Sequence, residues 1–145
     1  MRNSVSIMTI LSSLVANEMK SYDKVSISQL SSDLALEIGG WDKNAGAEVI
    51  LWSFGDNQDN QVWSLQPNGV ITSGMNDLVF TESGFEVIAY NTFLMQPKTY
   101  DSTQLWKIIG ITIRLQDHPI CINSHDGKTA KGTQLDAYTC NGQAS

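Results

Sequence analysis

Two histidines come nearest to a catalytic or metal-binding pattern. His118 and His125 lie beside Asp117 and Asp126, and imidazole next to carboxylate can hold a metal ion or move a proton. Asp-His-Pro and His-Asp-Gly are, however, ordinary turn sequences, and no third or fourth ligand stands at a recognisable spacing. We therefore expect turns here, with no metal and no other cofactor.

The remaining residue types do not form a known catalytic motif. Glycoside hydrolysis needs two carboxylates about 5 to 10 Å apart, and the 15 acidic residues cannot be paired from the sequence. The sequence contains no Gly-x-Ser-x-Gly elbow, phosphate loop or dinucleotide fingerprint, and no motif marks Cys121 or Cys140 as a nucleophile. We expect a protein that is not an enzyme.

Length and charge favour one acidic domain. A chain of 145 residues with 41% apolar and 17% charged residues can bury a single core in water. The net charge is −6, and no cluster of Lys and Arg offers a surface for phosphates, so nucleic acid is not an expected partner.

The N-terminal segment 1–23 has two interpretations. Residues 5–16 form a mainly apolar stretch after Arg2, diluted by four serines and threonines, and it is shorter than the roughly 20 residues of a transmembrane helix. A basic residue followed by an apolar run is the order found in a secretory signal peptide. Alternatively, Val5 and Ile7 alternate with serines as in a half-buried strand.

The chain also repeats itself. Gln61-Val62-Trp63 and Gln104-Leu105-Trp106 lie 43 positions apart, and this offset aligns other apolar residues without a gap. The aligned sets are Ile27, Val70 and Ile113; Ala35, Leu78 and Cys121; Leu36, Val79 and Ile122; and, between the first and third copies, Gly46 with Gly132, Val49 with Leu135 and Trp52 with Tyr138. Three repeats are predicted at about 24–66, 67–109 and 110–145.

Each copy has the pattern of four short strands separated by turns. In the first copy these are KVSISQL, LALEI, EVILW and QVWSL, and no helical periodicity is sustained. Four strands in each of three copies predict an all-β, threefold barrel with a hairpin cap, the β-trefoil. Trp63 and Trp106 would fill its core, each indole N–H requiring an acceptor.

The Gln-x-Trp repeats, with Cys-Ile-Asn-Ser at 121–124, resemble the ricin B-type lectin family over about residues 24–145. The resemblance implies a carbohydrate-binding module for galactose or N-acetylgalactosamine-type sugars, with glycans or glycoproteins as partners. It leaves open an accessory portion or fragment of a larger enzyme or toxin, or a trefoil that binds proteins instead of sugars.

The same resemblance assigns the binding residues of the first copy. Trp52 would stack on a sugar ring, Asn60 and Gln61 would bind hydroxyls, and Glu37 stands where the family usually has Asp. Glu is one methylene longer, and a shift near 1 Å disturbs paired hydrogen bonds. Ile50 replaces a residue that is often polar; Trp41 and Asp42 in the preceding loop would compensate for it.

The other two copies depart further from the family pattern. The gap-free alignment puts Phe80, Met95 and Thr103 in the second copy at the positions of Glu37, Trp52 and Asn60, so we expect no sugar site there. The third copy offers an amide, a carboxylate and an aromatic ring as an altered second site. These are Asn123, Asp136 and Tyr138.

The third Gln-x-Trp would begin at position 147, beyond Ser145. The third repeat is therefore expected to lack its last strand. Two explanations are open: the sequence is a fragment, or the SVSIMTIL segment at residues 4–11 substitutes for the strand.

The resemblance also implies a disulfide between Cys121 and Cys140, which would place the protein outside the cell. The alternative is two free thiols in an intracellular protein.

Overall fold

The structure is a computed structural model, which describes residues 3–6, 21–30, 32–83 and 93–140. The first repeat forms four strands, as its turn-separated apolar segments predict. They are β2 (Tyr22–Ser28), β3 (Leu34–Ile38), β4 (Ala47–Ser53) and β5 (Trp63–Leu65).

The second repeat has the same four strands, and the described part of the third repeat has the first three. They are β6 (Ile71–Ser73), β7 (Val79–Glu82), β8 (Phe93–Gln96) and β9 (Trp106–Ile109), followed by β10 (Thr112–Leu115), β11 (Ile120–Ser124) and β12 (Leu135–Thr139). The predicted all-β trefoil is confirmed, including a third repeat without a closing strand among the described residues.

Two sheets make up the barrel and its cap. The larger has the order β1-β2-β3-β4-β8-β7-β6-β5, in which β1 is Asn3–Ser6 and β5 also pairs with β2, and the smaller has the order β12-β11-β10-β9. Short backbone contacts connect them: Trp106 N donates to Gly69 O at 2.9 Å, and Leu51 N donates to Thr133 O at 3.0 Å.

An additional strand, β1 (Asn3–Ser6), precedes the first repeat and pairs in parallel with residues 25–28 of β2. A strand is thus observed at the start of the SVSIMTIL segment, whereas its remainder and the predicted signal-peptide core lie outside the described residues. Within the described ranges, no helix has the length and apolar character needed to cross a membrane.

The core is built by inward-facing side chains from strands of all three repeats. Trp63 and Trp106 are fully buried, and their Nε1 atoms donate to Leu36 O and Phe80 O, each at 3.0 Å. The predicted role of both rings as core residues with a satisfied indole N–H is confirmed. Phe80 and Phe93 stack between them with ring centroids 5.2 Å apart.

The gap-free alignment of the repeats is wrong by one residue in part of the second copy. The bridges Ser28–Ala35, Thr72–Val79 and Arg114–Cys121 are equivalent, so Val79 rather than Leu78 matches Ala35. In the same register, Ile71 rather than Val70 matches Ile27, and Phe80 rather than Val79 matches Leu36. Thr81 and Gln96 take the positions of Glu37 and Trp52.

A compensating pair of loop-length changes explains the shift. The connection before β6 is one residue longer than its counterpart before β10, and the loop from Gln96 to Thr103 is one residue shorter than that from Trp52 to Asn60. The Gln-x-Trp triplets consequently return to register, which conceals the change in the sequence.

Candidate functional site

The β3–β4 hairpin positions the candidate residues of the first repeat. Glu37 pairs with Ile50 and Ala35 pairs with Trp52, and side chains opposite each other or two apart on a strand share a face. Glu37 and Trp52 are therefore diagonal neighbours on the face away from the core, a relation that puts side chains about 7 to 8 Å apart.

A buried network holds the Glu37 carboxylate. Gln61 Nε2 donates to Glu37 Oε1 at 3.1 Å and to Ser53 O at 2.8 Å, while Gln61 Oε1 accepts from Gly55 N at 2.9 Å. Gln61 has no exposed surface. The Gln61 amide thus forms its hydrogen bonds within the protein, where it holds the Glu37 carboxylate and the loop after β4 in place.

Burial raises the pKa of Glu37 above its ordinary value, against the opposing hydrogen bonds from Gln61 and Asn60. Only 6% of Glu37 is exposed. A carboxylate shielded in this way forms stronger hydrogen bonds with an incoming hydroxyl than one in open water does.

Asn60 lies in a 3-10 turn, Asp59–Gln61, that covers the hairpin. Its Nδ2 donates to Ile38 O at 3.2 Å, and its buried Oδ1 has no hydrogen-bond partner among the described residues. An unpartnered buried acceptor costs about 1 to 3 kcal/mol, and because Asn60 is only 1% exposed this oxygen lies beneath the surface of the site.

Trp52 is 41% exposed, and the third repeat borders it. Lys131 Nζ lies 5.9 Å from its ring centroid, within range of a cation–π contact. Gly132 has φ +82°, and a Cβ at that position would lie 3.6 Å from Trp52 Cζ3. The first-repeat surface is therefore completed by a loop 80 residues further along the chain.

The preceding loop contributes a second exposed indole. Trp41 is 49% exposed and follows the end of β3 in a 3-10 turn, Gly39–Trp41. Asp42 Oδ1 accepts from the backbone and side chain of Asn44 at 3.0 and 2.8 Å, which orders the loop. Ile50 gives this surface an apolar side chain that lies close to Gly39. A Cβ added to Gly39 would lie 3.4 Å from Ile50 Cδ1.

The equivalent surface of the second repeat lacks both the carboxylate and the ring. Thr81, Gln96 and Thr103 take the places of Glu37, Trp52 and Asn60; Met95, expected at the Trp52 position, is instead a buried core residue. Gln104 keeps the role of Gln61: its Nε2 donates to Thr81 Oγ1 at 3.2 Å and Pro97 O at 2.8 Å.

The third repeat does bring its three predicted residues onto one hairpin. Asn123 pairs with Asp136, and Tyr138, 37% exposed, pairs with Cys121. Asp136 Oδ2 lies 2.7 Å from His125 Nδ1, and Asp136 Oδ1 is buried without a hydrogen-bond partner among the described residues. His125 also approaches Asp126 Oδ2 at 3.2 Å.

A disulfide joins Cys121 to Cys140 and closes this hairpin at its end, as predicted. The alternative of two free thiols is not what the structure contains.

Sequence reasoning missed three contributors to these surfaces. Lys131 and Gly132 reach Trp52 only through the folding of the third repeat onto the first, and the partnership of His125 with Asp136 spans a hairpin. Apart from the alignment of Gly132 with Gly46, their positions in the sequence carry no pattern that predicts these contacts.

Solved structures of the same architecture come from diverse sources. The chain is similar to the C-half of an earthworm R-type lectin, crystallised with GalNAc, at 23% identity over 84% of this chain and 92% of that one, with a TM-score of 0.71. It is also similar to the β-trefoil lectin of the Vibrio vulnificus hemolysin/cytolysin with bound N-acetyl-D-lactosamine, at 22% identity over 86% and 88%, with a TM-score of 0.59.

A designed threefold symmetric protein, ThreeFoil, shares the architecture at 16% identity over 77% of this chain and 86% of that one, with a TM-score of 0.68. The chain matches no protein-family model and no curated protein sequence. These likenesses identify the class of the fold, the β-trefoil. Within that class, its structural neighbours include R-type and other β-trefoil lectins.

Proposed function

We propose that this protein is a carbohydrate-binding module of the lectin type, with its principal site in the first repeat. One observation carries the proposal: the β3–β4 hairpin presents the exposed Trp52 indole beside the Glu37 carboxylate. A pyranose has one apolar C–H face and a rim of hydroxyls, so it needs a flat ring and a fixed acceptor together.

The residues have distinct roles in this proposal. Trp52 stacks on the sugar and the Glu37 carboxylate accepts hydroxyl hydrogen bonds. Asn60, only 1% exposed, supports that carboxylate through a hydrogen bond from its side chain. Gln61 acts indirectly, because its buried amide is committed to Glu37 Oε1, Ser53 O and Gly55 N. This arrangement makes Gln61 a positioning residue.

We propose galactose or N-acetylgalactosamine-type sugars as the ligand class. The resemblance to ricin B-type lectins motivates it, and two structural neighbours were solved with GalNAc and N-acetyl-D-lactosamine. The Cys121–Cys140 disulfide supports an extracellular location, where such bonds persist and glycans are displayed.

Asn123, Asp136 and Tyr138 form a second, altered site in the third repeat. The carboxylate of Asp136 lies on the second strand of its hairpin, β12, whereas that of Glu37 lies on the first strand of its own, β3. Asp136 is also in contact with His125. Because one carboxylate oxygen of Asp136 contacts His125 and the other is buried, this site is weaker than the first and contributes avidity more than affinity.

A glycan array tests the proposal, with Trp52→Ala as the site variant and Gln96→Ala as its structural counterpart in the second repeat. The unmodified chain and Gln96→Ala are expected to bind galactose-type glycans, whereas Trp52→Ala keeps at most the weak binding of the third-repeat site. Silence of the folded unmodified chain on every glycan would contradict the proposal and favour a trefoil that binds proteins.

A further inference from the structure

The turn at residues 130–133, between β11 and β12, is fixed to β4 of the first repeat by its backbone. Gly132 N donates to Leu51 O at 2.8 Å, and Leu51 N donates to Thr133 O at 3.0 Å. These two bonds anchor the turn on both sides of one strand residue. The point from which Lys131 projects is therefore set by the fold and not by the side chain itself.

This anchoring places a positive charge beside the exposed indole of the first repeat. Lys131 Nζ lies over the Trp52 ring, 5.9 Å from its centroid. The other edge of β4 is occupied by β3, the strand that carries Glu37. The carboxylate and the ammonium thus approach the indole from opposite edges of β4.

The charge of Lys131 is available to a ligand. Its side chain is exposed, and among the residues that the structure describes no carboxylate forms an ion pair with it. Glu48, the acidic residue of β4, has its Oε1 hydrogen-bonded to Gln134 Nε2 at 2.8 Å. The contact of the ammonium is consequently the indole alone.

The junction between the first and second repeats has the same turn without the charge. There Gly46 N donates to Met95 O of β8 at 2.8 Å, as the equivalent glycine of the third repeat does to β4. In this register Ala45 stands in place of the lysine and Gln96 in place of the indole. Of these two junctions, only the one with the stacking ring has the cation.

We propose that Lys131 makes the first-repeat site prefer galactose-type glycans that carry an anionic group, either a sulfate ester or the carboxylate of a sialic acid. This inference rests on the sugar site proposed above. The sugar ring stacks on Trp52 and gives its hydroxyls to Glu37, while the anionic group extends toward the third repeat. The flexible stem of lysine lets the ammonium leave the indole for the anion while the backbone turn stays in place.

The preference follows from what each ligand offers the displaced ammonium. A neutral sugar moves it off the ring and provides no charge in return, whereas an anionic group replaces the cation–π contact by a charge-assisted hydrogen bond. The net charge of the chain is −6, so its overall field repels anions. A preference for them must therefore come from a local cation.

The test is titration calorimetry of the full chain with lactose, with lactose sulfated at O3 or O6 of its galactose, and with lactose sialylated at the same oxygens. At least one anionic probe is expected to bind about three- to tenfold more tightly than lactose. The difference should shrink in about 0.5 M sodium chloride, because salt screens an exposed charge pair. Comparison of the sulfated and sialylated probes distinguishes the two sources of the anion.

Three variants locate the effect. In Lys131→Gln, the anionic probes and lactose should bind with the same affinity to within about twofold, and Lys131→Arg should restore the preference because it restores the charge. Lys98→Gln is the matched control: Lys98 Nζ lies 5.3 Å from the ring centroid of Tyr100 in the second repeat. It removes the same charge and the same kind of contact from another surface, so the preference should persist.

Three results would overturn the inference: equal binding of lactose and all anionic probes by the unmodified chain, a preference that survives in folded Lys131→Gln, or a loss of preference that is as large in Lys98→Gln. In each of these cases lactose binding leaves the sugar site of the first repeat standing. Absence of binding to every probe by the folded unmodified chain would overturn both proposals. If Lys131→Gln does not melt cooperatively, Lys131→Ala takes its place.

Discussion

At the scale of single residues, the two kinds of tryptophan separate folding from binding. Trp52→Ala removes a ring that is 41% exposed, whereas Trp63→Ala empties a fully buried position. We expect Trp52→Ala to abolish sugar binding by the first repeat at a cost below about 1 kcal/mol in stability, and Trp63→Ala to cost about 3 to 5 kcal/mol. Chemical denaturation and titration calorimetry measure both effects, and equal destabilisation by the two changes would refute the assigned roles.

The pH dependence of Glu37 follows from its burial. Because its pKa is raised in the folded protein, its favourable contribution to stability is fully present below the unfolded-state pKa, about 4.5, and is lost as the pH rises through the folded-state pKa. Glu37→Gln cannot titrate and keeps an oxygen for Gln61.

We therefore expect the difference in unfolding free energy, unmodified chain minus Glu37→Gln, to fall as the pH rises from about 4.5 and then to level off. Sugar binding by the unmodified chain should rise over the same interval as the carboxylate ionises. Denaturation curves and sugar titrations at a series of pH values measure the two trends. A stability difference that increases with pH would contradict this account of the site.

At the scale of elements, Gln61 and Gln104 provide a matched pair. Both amides tie a 3-10 turn to the loop after the third strand of the repeat, but only Gln61 contacts a carboxylate. Gln61→Ala and Gln104→Ala should each lower stability by about 1 to 3 kcal/mol, because buried partners lose hydrogen bonds.

Only Gln61→Ala should also weaken sugar binding, by about tenfold, since it releases Glu37 from its fixed position. Titration calorimetry of the two variants with the same sugar makes the comparison. An equal loss of affinity in both would show that general stability, and not the placement of the carboxylate, governs binding.

The disulfide belongs to the third-repeat hairpin, β11–β12. It connects residues 19 apart in the sequence, and closing a loop of this size is worth about 3 kcal/mol. Denaturation with dithiothreitol should show a loss of about that size, with two thiols appearing in a titration. Two titratable thiols without reductant would show that the cysteines do not pair.

For the molecule as a whole, threefold repetition made the fold predictable. The Gln-x-Trp triplets, the LALEI strand and the paired cysteines are local patterns, and each lies where the sequence predicted. The register of the second repeat was mispredicted because a longer connection before β6 is offset by a shorter loop before Thr103. Compensating length changes leave no trace in the spacing of the triplets.

The candidate site was predictable only in part. Repetition and resemblance placed Glu37, Trp52 and Asn60 together, but the burial of Gln61 and the approach of Lys131 depend on packing between distant segments. The same three repeats have diverged in what their outer faces present: a carboxylate with an indole, a threonine with a glutamine, and an asparagine with a tyrosine.

The most direct test of the central claim is to follow the four indole N–H signals of the ¹⁵N-labelled protein by NMR while adding N-acetylgalactosamine. We predict a saturable shift of the Trp52 signal, with Trp63 and Trp106 unmoved because both are buried and bonded to backbone carbonyls. Saturable binding that leaves the Trp52 signal in place, or no response at any sugar concentration, would contradict a sugar site in the first repeat.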